Sequence, residues 1–456
     1  MAACRHLATA ARVKYPAALQ RCKFDTPLLA AGSLIDRRAK SEYSFGKLLN
    51  SACVLSVKRF GMGMKMRKTG KRIAVIALIL ILILVVYVIY VFAVYDRLPD
   101  KLALEVYRVE TGTDDGNGMD DAMTIEDSTS WDEGIYSAGQ NYSILTYNIG
   151  FGAYLPEYSF FMDGGKSSWG KDEDSVAAAV CGAGTLMRDT DADFMLIQEV
   201  DRDGTRSYHI DELELLNQFT ECYYYTYAQN YDSPFLFFPP WEPHGANKAG
   251  VVTYSRGAIT EAMRRSLPIS ESLSKFVDLD RCYSISRIPL GELGSGTQPE
   301  SAAASAEDGR MLCLYNMHMS AYGSSDEIRA GQLAMLYEDM MADRQKGNYV
   351  ICGGDFNHDL KTENSRNAPE WAYPFPRESL PEGFRMAIDD SAVAEADIEH
   401  NTCRSAEEPY QVETTYTVTL DGFIVSDNVE VRSYRHVDTG YLYSDHDPVL
   451  MEFVLK

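Results

Sequence analysis

A short apolar run that ends in two glycines and then in polar side chains constrains this chain more than any other stretch. Val350–Cys352 is followed by Gly353 and Gly354, and then by Asp355 and Asn357. Such a run is typical of a strand buried on both faces, and the glycines let the backbone turn sharply and approach a ligand closely. We expect the Asp355 carboxylate and the Asn357 amide to leave the strand end on the same side. Taken alone, the stretch fits an ordinary Asp/Asn turn equally well.

Four further places repeat this pattern of an apolar run followed by a polar cluster. In chain order, the polar side chains at these places are Asn148, Glu199, His318, Asp421, Asp445 and His446. A single strand-end histidine or carboxylate is more often structural than functional. Several acids that converge without enough Arg or Lys to neutralise them favour a divalent cation with oxygen ligands.

Strand-like and helix-like segments are intermixed between Tyr142 and Leu455, which predicts a layered α/β domain. The predicted helices are Asp172–Arg188, Asp211–Phe219 and Asp326–Arg344, the last with a capping box formed by Ser324 and Glu327. The predicted strands are Ser143–Tyr147, Phe194–Ile197, the tyrosine-rich run Tyr223–Tyr227, Gly250–Tyr254, Met311–Asn316, Tyr349–Cys352, Gly422–Val425 and Pro448–Val454.

Charge and hydropathy separate the first part of the chain from this domain. Residues 1–95 carry 16 Lys and Arg against 3 Asp and Glu, a net charge of +13, and since the whole chain carries −23, residues 96–456 carry −36. Ile73–Tyr95 contains no charged residue, Gly or Pro, and at about 1.5 Å per residue it spans roughly 34 Å, enough to cross a bilayer. The run is too long for the apolar region of a cleaved signal peptide. The basic cluster precedes it, so the positive-inside rule predicts a single-pass plasma-membrane protein with a cytoplasmic N-terminus and an extracytoplasmic domain.

These observations predict four segments. Residues 1–72 form a basic N-terminal segment that is either disordered or an upstream extension of a chain that starts at Met62; its lack of acids near the start also fits a transit peptide. Residues 73–95 form the transmembrane signal-anchor helix, 96–140 an acidic stalk, and 141–456 the α/β domain. The strongly acidic domain disfavours a broad nucleic-acid-binding face, but a phosphate whose charge is met by a metal ion is compatible with it.

The ordered motifs resemble the endonuclease/exonuclease/phosphatase superfamily with the DNase I-like fold, over about residues 142–455. The most specific are Gly-Asp-Phe-Asn at 354–357 and Ser-Asp-His-Asp-Pro at 444–448. The resemblance implies a four-layered α/β sandwich of two mixed β-sheets flanked by helices. It also implies a Mg²⁺ cofactor, with Mn²⁺ as an alternative. Glu199 would be the principal metal ligand, with Asn148 and Asp445 near or on the metal.

The resemblance further implies a metal-assisted in-line attack of water on phosphorus. Asp355 and Asn357 would orient the water and bind a phosphate oxygen, and His318 would donate to a non-bridging oxygen. Asp421 would hold His446 in its tautomer, and either His446 or Asp355 would take the proton of the water.

Three more residues, Arg206, His209 and Lys248, are predicted to bind the substrate, with exposed loop positions as the plainer alternative. Phe235–Trp241 is an aromatic loop that fits either a lipid-facing rim or internal packing.

The function predicted from the sequence is a membrane-anchored, Mg²⁺-dependent phosphodiesterase. Its substrate would be a nucleic acid or a phospholipid or sphingolipid head group. The alternatives are a phosphomonoesterase for soluble inositol-type phosphates and a catalytically inactive, membrane-tethered binding module. No protein partner is inferred.

Overall fold

The computed structural model describes residues 68–94, 97–109, 136–270, 280–291, 309–320, 325–361 and 372–456. The basic segment before residue 68 and residues 110–135 of the predicted stalk lie outside the described residues. The chain divides into two compact units, Met1–Tyr90 and Val91–Lys456, and the second unit contains the α/β domain.

Helix α1 (Lys68–Val94) is long and apolar. Among the described residues it is the one helix that meets the length and composition needed to cross a membrane, over Gly70–Val94. The helix agrees with the prediction for residues 73–95 as far as Val94, and Tyr95 is outside the described residues.

Sheet I has seven strands, and its order is β1-β7-β8-β9-β10-β14-β11. Strands β9 and β10 are parallel, and the remaining pairs are antiparallel, so the sheet is mixed. In this order the strands are Leu102–Ala103, Glu261–Ser266, Cys282–Pro289, Met311–His318, Tyr349–Asp355, Asp421–Ser426 and Phe384–Met386.

Sheet II also has seven strands, in the order β15-β16-β3-β4-β6-β5-β2. Its single parallel pair is β3 with β4. In this order the strands are Val429–His436, Val449–Leu455, Asn141–Asn148, Phe194–Gly204, Asn247–Ser255, Tyr224–Asp232 and Tyr107–Arg108. A separate two-stranded ribbon pairs β12 (Cys403–Arg404) with β13 (Thr417–Val418).

The two sheets pack face to face, and alternation along the strands assigns each side chain to a layer. Ile144 of β3 is buried in the same cluster as Leu314 of β9, between the sheets. Its neighbour Leu145 points to the opposite face and packs with Val180 of helix α2 (Glu173–Thr190). Short helix α3 (Glu212–Asn217) packs in this second cluster as well.

Helix α4 (Asp326–Gln345) covers the outer face of sheet I, where Asp343 accepts a 2.7 Å hydrogen bond from the Tyr315 hydroxyl of β9. The layers therefore follow the order helices, sheet II, sheet I, helix. This is the four-layered α/β sandwich predicted from the sequence.

The helix starts are set by side-chain caps. Asp172 accepts from Ser175 N at 2.8 Å before α2, and Asp211 accepts from Glu214 N at 3.1 Å before α3. For α4 the cap is Ser325, which accepts from Ile328 N at 3.3 Å. The predicted capping box was therefore one residue too early, and Ser324 itself lies outside the described residues.

Residues 97–109 correct the predicted stalk. Leu102–Ala103 pairs with β7 at one edge of sheet I, and Tyr107–Arg108 pairs with β5 at one edge of sheet II. Ion pairs fix the segment further: Arg97 Nε lies 2.8 Å from Asp280, and Asp100 lies 3.0 Å from Arg265 Nε. The segment is polar in sequence, but its charges pair with the domain, so it is part of the domain.

Candidate active site

The strand ends named in the sequence analysis meet at one end of the sandwich. In sheet I, Asp355 at the end of β10 stands opposite His318 of β9 on one side and opposite Asp421 of β14 on the other. The parallel pairing of β9 with β10 brings their carboxyl ends to the same edge, and β14 begins there because it runs the opposite way. Three of the predicted site side chains thus occupy adjacent strands.

Glu199 comes from sheet II at a break in the strand ladder. The register between β4 and β6 shifts between Ile197 and Val200, and Glu199 itself has a φ of 55°. A bulge of this kind re-aims a side chain away from its regular direction, and a non-glycine residue in the left-handed region carries a conformational cost. The fold therefore turns Glu199 out of the strand at the place where the two sheets meet.

Asn148 joins the contributions of the two sheets. Its Nδ2 donates to Glu199 Oε1 at 3.2 Å and to Asp355 Oδ2 at 3.1 Å. Its Oδ1 accepts from Gly150 N at 3.0 Å, which fixes the orientation of the amide. His318 Nε2 lies 3.8 Å from the same two carboxylate oxygens.

Beneath these residues, a pair of amide side chains joins the two sheets. Gln198 Nε2 donates to Asn316 Oδ1 at 2.8 Å, and Asn316 Nδ2 donates to the carbonyls of Ile197 at 3.3 Å and Val252 at 2.8 Å. Both side chains are fully buried. We refer to Gln198 and Asn316 as the amide clasp. It fixes the spacing between the sheets directly beneath the site.

His446 and Asp421 form the shortest charged contact of the site, 2.7 Å between Nδ1 and Oδ2. Thr402 Oγ1 also donates to Asp421 Oδ2, at 2.7 Å. With Nδ1 bonded to Asp421, the other ring nitrogen of His446 lies 3.7 Å from Asp355 Oδ2. The imidazole is therefore held by one carboxylate and directed at another.

Burial and neighbouring negative charges shift the pKa values of Asp355 and Asp445 upward. Burial, with the charges of Asp421 and Glu199, raises the pKa of Asp355 to about 7, although His446 opposes the shift. Burial, with the charge of Glu199, raises the pKa of Asp445 to about 6. Buried carboxyl groups with strongly shifted pKa values are typical of functional sites.

The two imidazoles are shifted in opposite directions. Burial alone would lower the pKa of His446, but the charges of Asp421 and Asp355 outweigh it and raise that pKa well above its usual value. Burial lowers the pKa of His318 well below its usual value, and the positive charges of Arg281 and His446 add to this. His318 is therefore neutral at pH 7.

The donor set fits a hard divalent cation. Glu199, Asp355 and Asp445 offer carboxylate oxygens, and one ligand atom each from Asp355, Asp421 and His446 lie within 4.8 Å of one another. Asn148 turns its Nδ2 rather than its Oδ1 towards Glu199 and Asp355. The arginines nearby already have partners. Arg206 is paired with Asp201, and Arg404 Nη2 donates to backbone carbonyls of the loop after β3.

Asn357 lies beside this cluster, but its amide has a different partner. Its backbone N–H donates to Asp355 Oδ1 at 2.8 Å, while Nδ2 donates to the Met319 carbonyl at 3.0 Å. A φ of 49° places Asn357 in the left-handed region that Asn tolerates. The structure thus brings the backbone of Asn357, rather than its side chain, to Asp355.

The three predicted substrate-binding residues occupy different surroundings. Arg206 is buried, makes a two-point ion pair with Asp201 at 2.7 and 3.0 Å, and lies 3.6 Å over the Phe151 ring. His209 is exposed and lies 2.6 Å from Asp203, and Lys248 is half-exposed and lies 3.5 Å from Asp232. Asp203, the partner of His209, stands opposite Lys248 in the pairing of β4 with β6.

Two residues near the site were not identified from the sequence. Thr402 supports Asp421 from the loop before β12, and nothing around it in the sequence marks a site. Burial, with the charges of Asp445 and Glu199, raises the pKa of Asp163 to about 7, which places Asp163 in the electrostatic field of the cluster. Its position in an aromatic segment, before two glycines, was the available signal.

Two mixed sheets between helices, with acids and imidazoles gathered at one end, define the fold class of DNase I-like phosphoesterases. The chain matches the model of the Endonuclease/Exonuclease/phosphatase family over residues 145–446, and it belongs to that family. Members of the family are hydrolases that act on phosphoester bonds.

Solved structures with similar folds include an endonuclease/exonuclease/phosphatase from Beutenbergia cavernae, with 15% identity, a TM-score of 0.48, and coverage of 69% of this chain and 72% of that one. A mannosyl-6-phosphatase from Bacteroides thetaiotaomicron has 16% identity, a TM-score of 0.43, and coverage of 69% and 100%. TDP2 from Caenorhabditis elegans has 16% identity, a TM-score of 0.39, and coverage of 70% and 75%. No curated protein matches the sequence.

Proposed function

We propose that this protein is a Mg²⁺-dependent phosphodiesterase anchored in the plasma membrane by α1, with a cytoplasmic N-terminus and an extracytoplasmic α/β domain. The observation that carries the proposal is the convergence of Glu199, Asp355 and the His446–Asp421 pair at the meeting point of the two sheets. A binding module has no need of a carboxylate-held imidazole directed at a second carboxylate.

Glu199 is the principal metal ligand in this proposal, with Asn148, Asp355 and Asp445 beside it. A bound Mg²⁺ supplies charge withdrawal from the phosphoryl oxygens and assists departure of the leaving group. Mn²⁺ prefers the same oxygen ligands.

The His446–Asp421 pair fixes which nitrogen of the imidazole faces the reaction. Because Nδ1 is bonded to Asp421, Nε2 is the nitrogen that faces Asp355 Oδ2, 3.7 Å away. A water held between these two groups passes its proton to the ionised Asp355 carboxylate, or to His446 once that imidazole, whose pKa is raised, has lost its own proton. The Asn357 N–H donates to the other oxygen of Asp355 and keeps that carboxylate in place.

His318 binds the phosphoryl group in this scheme. It is neutral, and its Nε2 faces Glu199 and Asp355. In the tautomer with hydrogen on Nε2, it donates one hydrogen bond to a non-bridging oxygen without adding a positive charge. Arg206, His209 and Lys248 remain proposed as more distant contacts to the substrate, with Arg206 acting through its electrostatic influence on Glu199.

The test is hydrolysis by the purified full chain in detergent, with bis-p-nitrophenyl phosphate, p-nitrophenyl phosphate, DNA, RNA and choline phospholipids as substrates. We expect cleavage of diesters to exceed cleavage of monoesters, to stop with EDTA, and to return with Mg²⁺ or Mn²⁺. The control is His446→Ala, which keeps the proposed metal ligands Glu199, Asp355 and Asp445 and loses turnover. Lack of activity on every substrate, together with no Mg²⁺-induced rise in Tm, would instead support the inactive binding module.

A further inference from the structure

Four large apolar side chains are exposed together on the α/β domain. Met162, Phe237, Phe238 and Trp241 have exposed fractions of 62, 59, 64 and 72%. Phe161, next to Met162, has its ring centroid 5.8 Å from that of Phe238, which joins the two loops. We call these four side chains the apolar rim. Exposure of three aromatic rings and a methionine in one place marks an interaction surface.

The loops that carry the apolar rim are fixed to each other. Ser168 N donates to Glu242 Oε2 at 2.6 Å, and Trp169 Nε1 donates to the Pro243 carbonyl at 2.7 Å. The His244 ring packs against Phe161, with the centroids 5.8 Å apart. These contacts fix the two loops to each other, and the side chains of the apolar rim remain exposed to solvent.

The apolar rim lies at the active-site end of the sandwich. The loop of residues 233–246 joins the end of β5 to the start of β6. Asn247, the first residue of β6, pairs with Gly204, the last residue of β4, and β4 is the strand that carries Glu199. Asp163 follows Met162 directly and lies in the electrostatic field of Asp445 and Glu199.

The chain also enters the domain at this end. Arg97 Nη2 donates to the Leu267 carbonyl at 2.8 Å, and its Nε lies 2.8 Å from Asp280. These residues lie where β7 ends and β8 begins. The neighbouring Arg281 donates to the Met319 carbonyl at 3.0 Å, one residue beyond His318. The segment that begins at Arg97 therefore lies at the same end of the α/β domain as the apolar rim.

The net charge of the domain indicates which kind of membrane surface the apolar rim binds. Residues 96–456 carry a net charge of −36, and a domain this acidic is repelled by anionic lipids. Phe, Trp and Met side chains enter the interfacial region of a bilayer through burial of apolar area and need no basic residues for it.

We propose that the apolar rim inserts into the interface of a zwitterionic bilayer, so that the active site takes the phosphodiester head group of a lipid in that bilayer. The choice of substrate rests on the proposed phosphodiesterase activity, whereas the membrane contact does not. In this arrangement the rim orients the site towards the lipid surface.

The membrane contact is tested by tryptophan quenching in full-chain proteoliposomes of phosphatidylcholine, with and without acyl-chain bromination. We expect brominated lipid to quench the emission of the wild-type chain, and Trp241→Tyr to remove most of that quenching. The matched control is Trp131→Tyr, which keeps Trp241 and should keep the quenching. Equal quenching in the wild-type and Trp241→Tyr chains would overturn the proposal. The proposal would also be overturned if the shielding of Trp241 depended only on the amount of protein per vesicle and not on the lipid, because this would indicate that a second copy of the chain covers the rim.

The substrate is tested with a rim variant that combines Phe237→Ser, Phe238→Ser and Trp241→Ser. We expect phosphocholine release from phosphatidylcholine–sphingomyelin vesicles to fall at least tenfold, and hydrolysis of soluble bis-p-nitrophenyl phosphate to stay within twofold of the wild type. The control variant, Met341→Ser with Val412→Ser, removes exposed apolar side chains elsewhere and should leave both rates unchanged.

Equal losses on the two substrates, or no loss on either, would overturn the lipid assignment. If the wild-type chain hydrolyses no phosphoester at all, the proposed function fails, while the quenching experiment still decides whether the rim enters the bilayer.

Discussion

The contact between His446 and Asp421 is the residue-scale feature on which the chemistry depends. A carboxylate 2.7 Å from Nδ1 stabilises the imidazolium and fixes the ring, and Thr402 in turn fixes the carboxylate. Nε2 of His446 therefore faces Asp355.

Asp421→Asn removes the charge that raises the pKa of His446. We expect that pKa to fall and turnover to decrease by about two to four orders of magnitude, since an amide can also favour the wrong tautomer. The measurements are kcat against pH and the titration of His446 followed by NMR. Thr402→Val, which removes the support but keeps the charge, should have a smaller effect. An unchanged His446 titration in Asp421→Asn would contradict the assigned role.

Glu199→Gln keeps the shape of the side chain and removes its negative charge. Because Glu199 is the proposed principal metal ligand, we expect the Mg²⁺ concentration for half-maximal activity to rise at least tenfold. The measurement is activity against Mg²⁺ concentration, and the control is Glu214→Gln on α3. An unchanged Mg²⁺ requirement would exclude Glu199 as the principal ligand.

Motifs predicted the candidate site residues that end an apolar strand, because burial leaves a readable run of hydrophobic residues before them. They did not predict Thr402, whose loop lacks such a run. Arg206 was predicted to bind the substrate, with an exposed loop position as the alternative, and its burial was not foreseen because its partner Asp201 and the ring of Phe151 are brought to it by tertiary structure.

At the scale of single elements, the parallel pair β9–β10 depends on one glycine. Gly354 has a φ of 144°, and a Cβ at this position would lie 1.8 Å from the Met317 carbonyl oxygen. The backbone of β10 therefore approaches β9 more closely than any side chain allows.

Gly354→Ala should be severely destabilising, by more than about 3 kcal/mol, because both the left-handed region and the contact with backbone atoms resist a methyl group. The measurement is the free energy of unfolding by chemical denaturation. Gly139→Ala is the matched control, since Gly139 also has a positive φ, of 84°, but has no atom within 4 Å of the added Cβ. We expect it to cost about 1 kcal/mol. Equal costs for the two variants would contradict this explanation.

The strands predicted from the sequence are those with continuous apolar runs, such as Val350–Cys352. Strand β7 was missed because it is buried with charged residues: Arg264 and Arg265 lie inside the domain and pair with Asp280 and Asp100. Strands β1 and β2 have two residues each, too few to show an alternating pattern.

At the scale of the whole molecule, buried histidines link stability to pH. Burial, together with the charge of Arg206, lowers the pKa of His244 to about 3. Burial, together with the charges of Lys361 and His400, lowers the pKa of His436 to about 4. At these two histidines the folded chain therefore binds fewer protons than the unfolded chain below about pH 6.5, whereas the carboxyl groups with raised pKa values contribute with the opposite sign.

The contribution of these two histidines to stability should accordingly be complete above about pH 6.5 and be lost as the pH decreases towards 4, with each histidine adding a slope of up to about 1.4 kcal/mol per pH unit. His244→Gln should remove its share of this slope in denaturation experiments between pH 4 and 7. The control is Val412→Gln, at an exposed position without a titrating group, which should leave the slope unchanged. A slope unaffected by His244→Gln would show that His244 protonates equally in both states.

The amide clasp of Gln198 and Asn316 has a consequence for how this sandwich tolerates change. Each sheet supplies one residue of the clasp. Replacing Gln198 alone leaves the buried Asn316 Oδ1 without the hydrogen bond it accepts from Gln198, whereas replacing Asn316 alone leaves Gln198 Nε2 with the Thr146 hydroxyl and the Leu196 carbonyl as acceptors. A chimera that combines sheet I of this chain with sheet II of a relative that has an apolar side chain at position 198 would therefore lose the hydrogen bond to Asn316 Oδ1. Sheets can thus be exchanged between relatives without loss of this hydrogen bond only when Gln198 and Asn316 are kept as a pair.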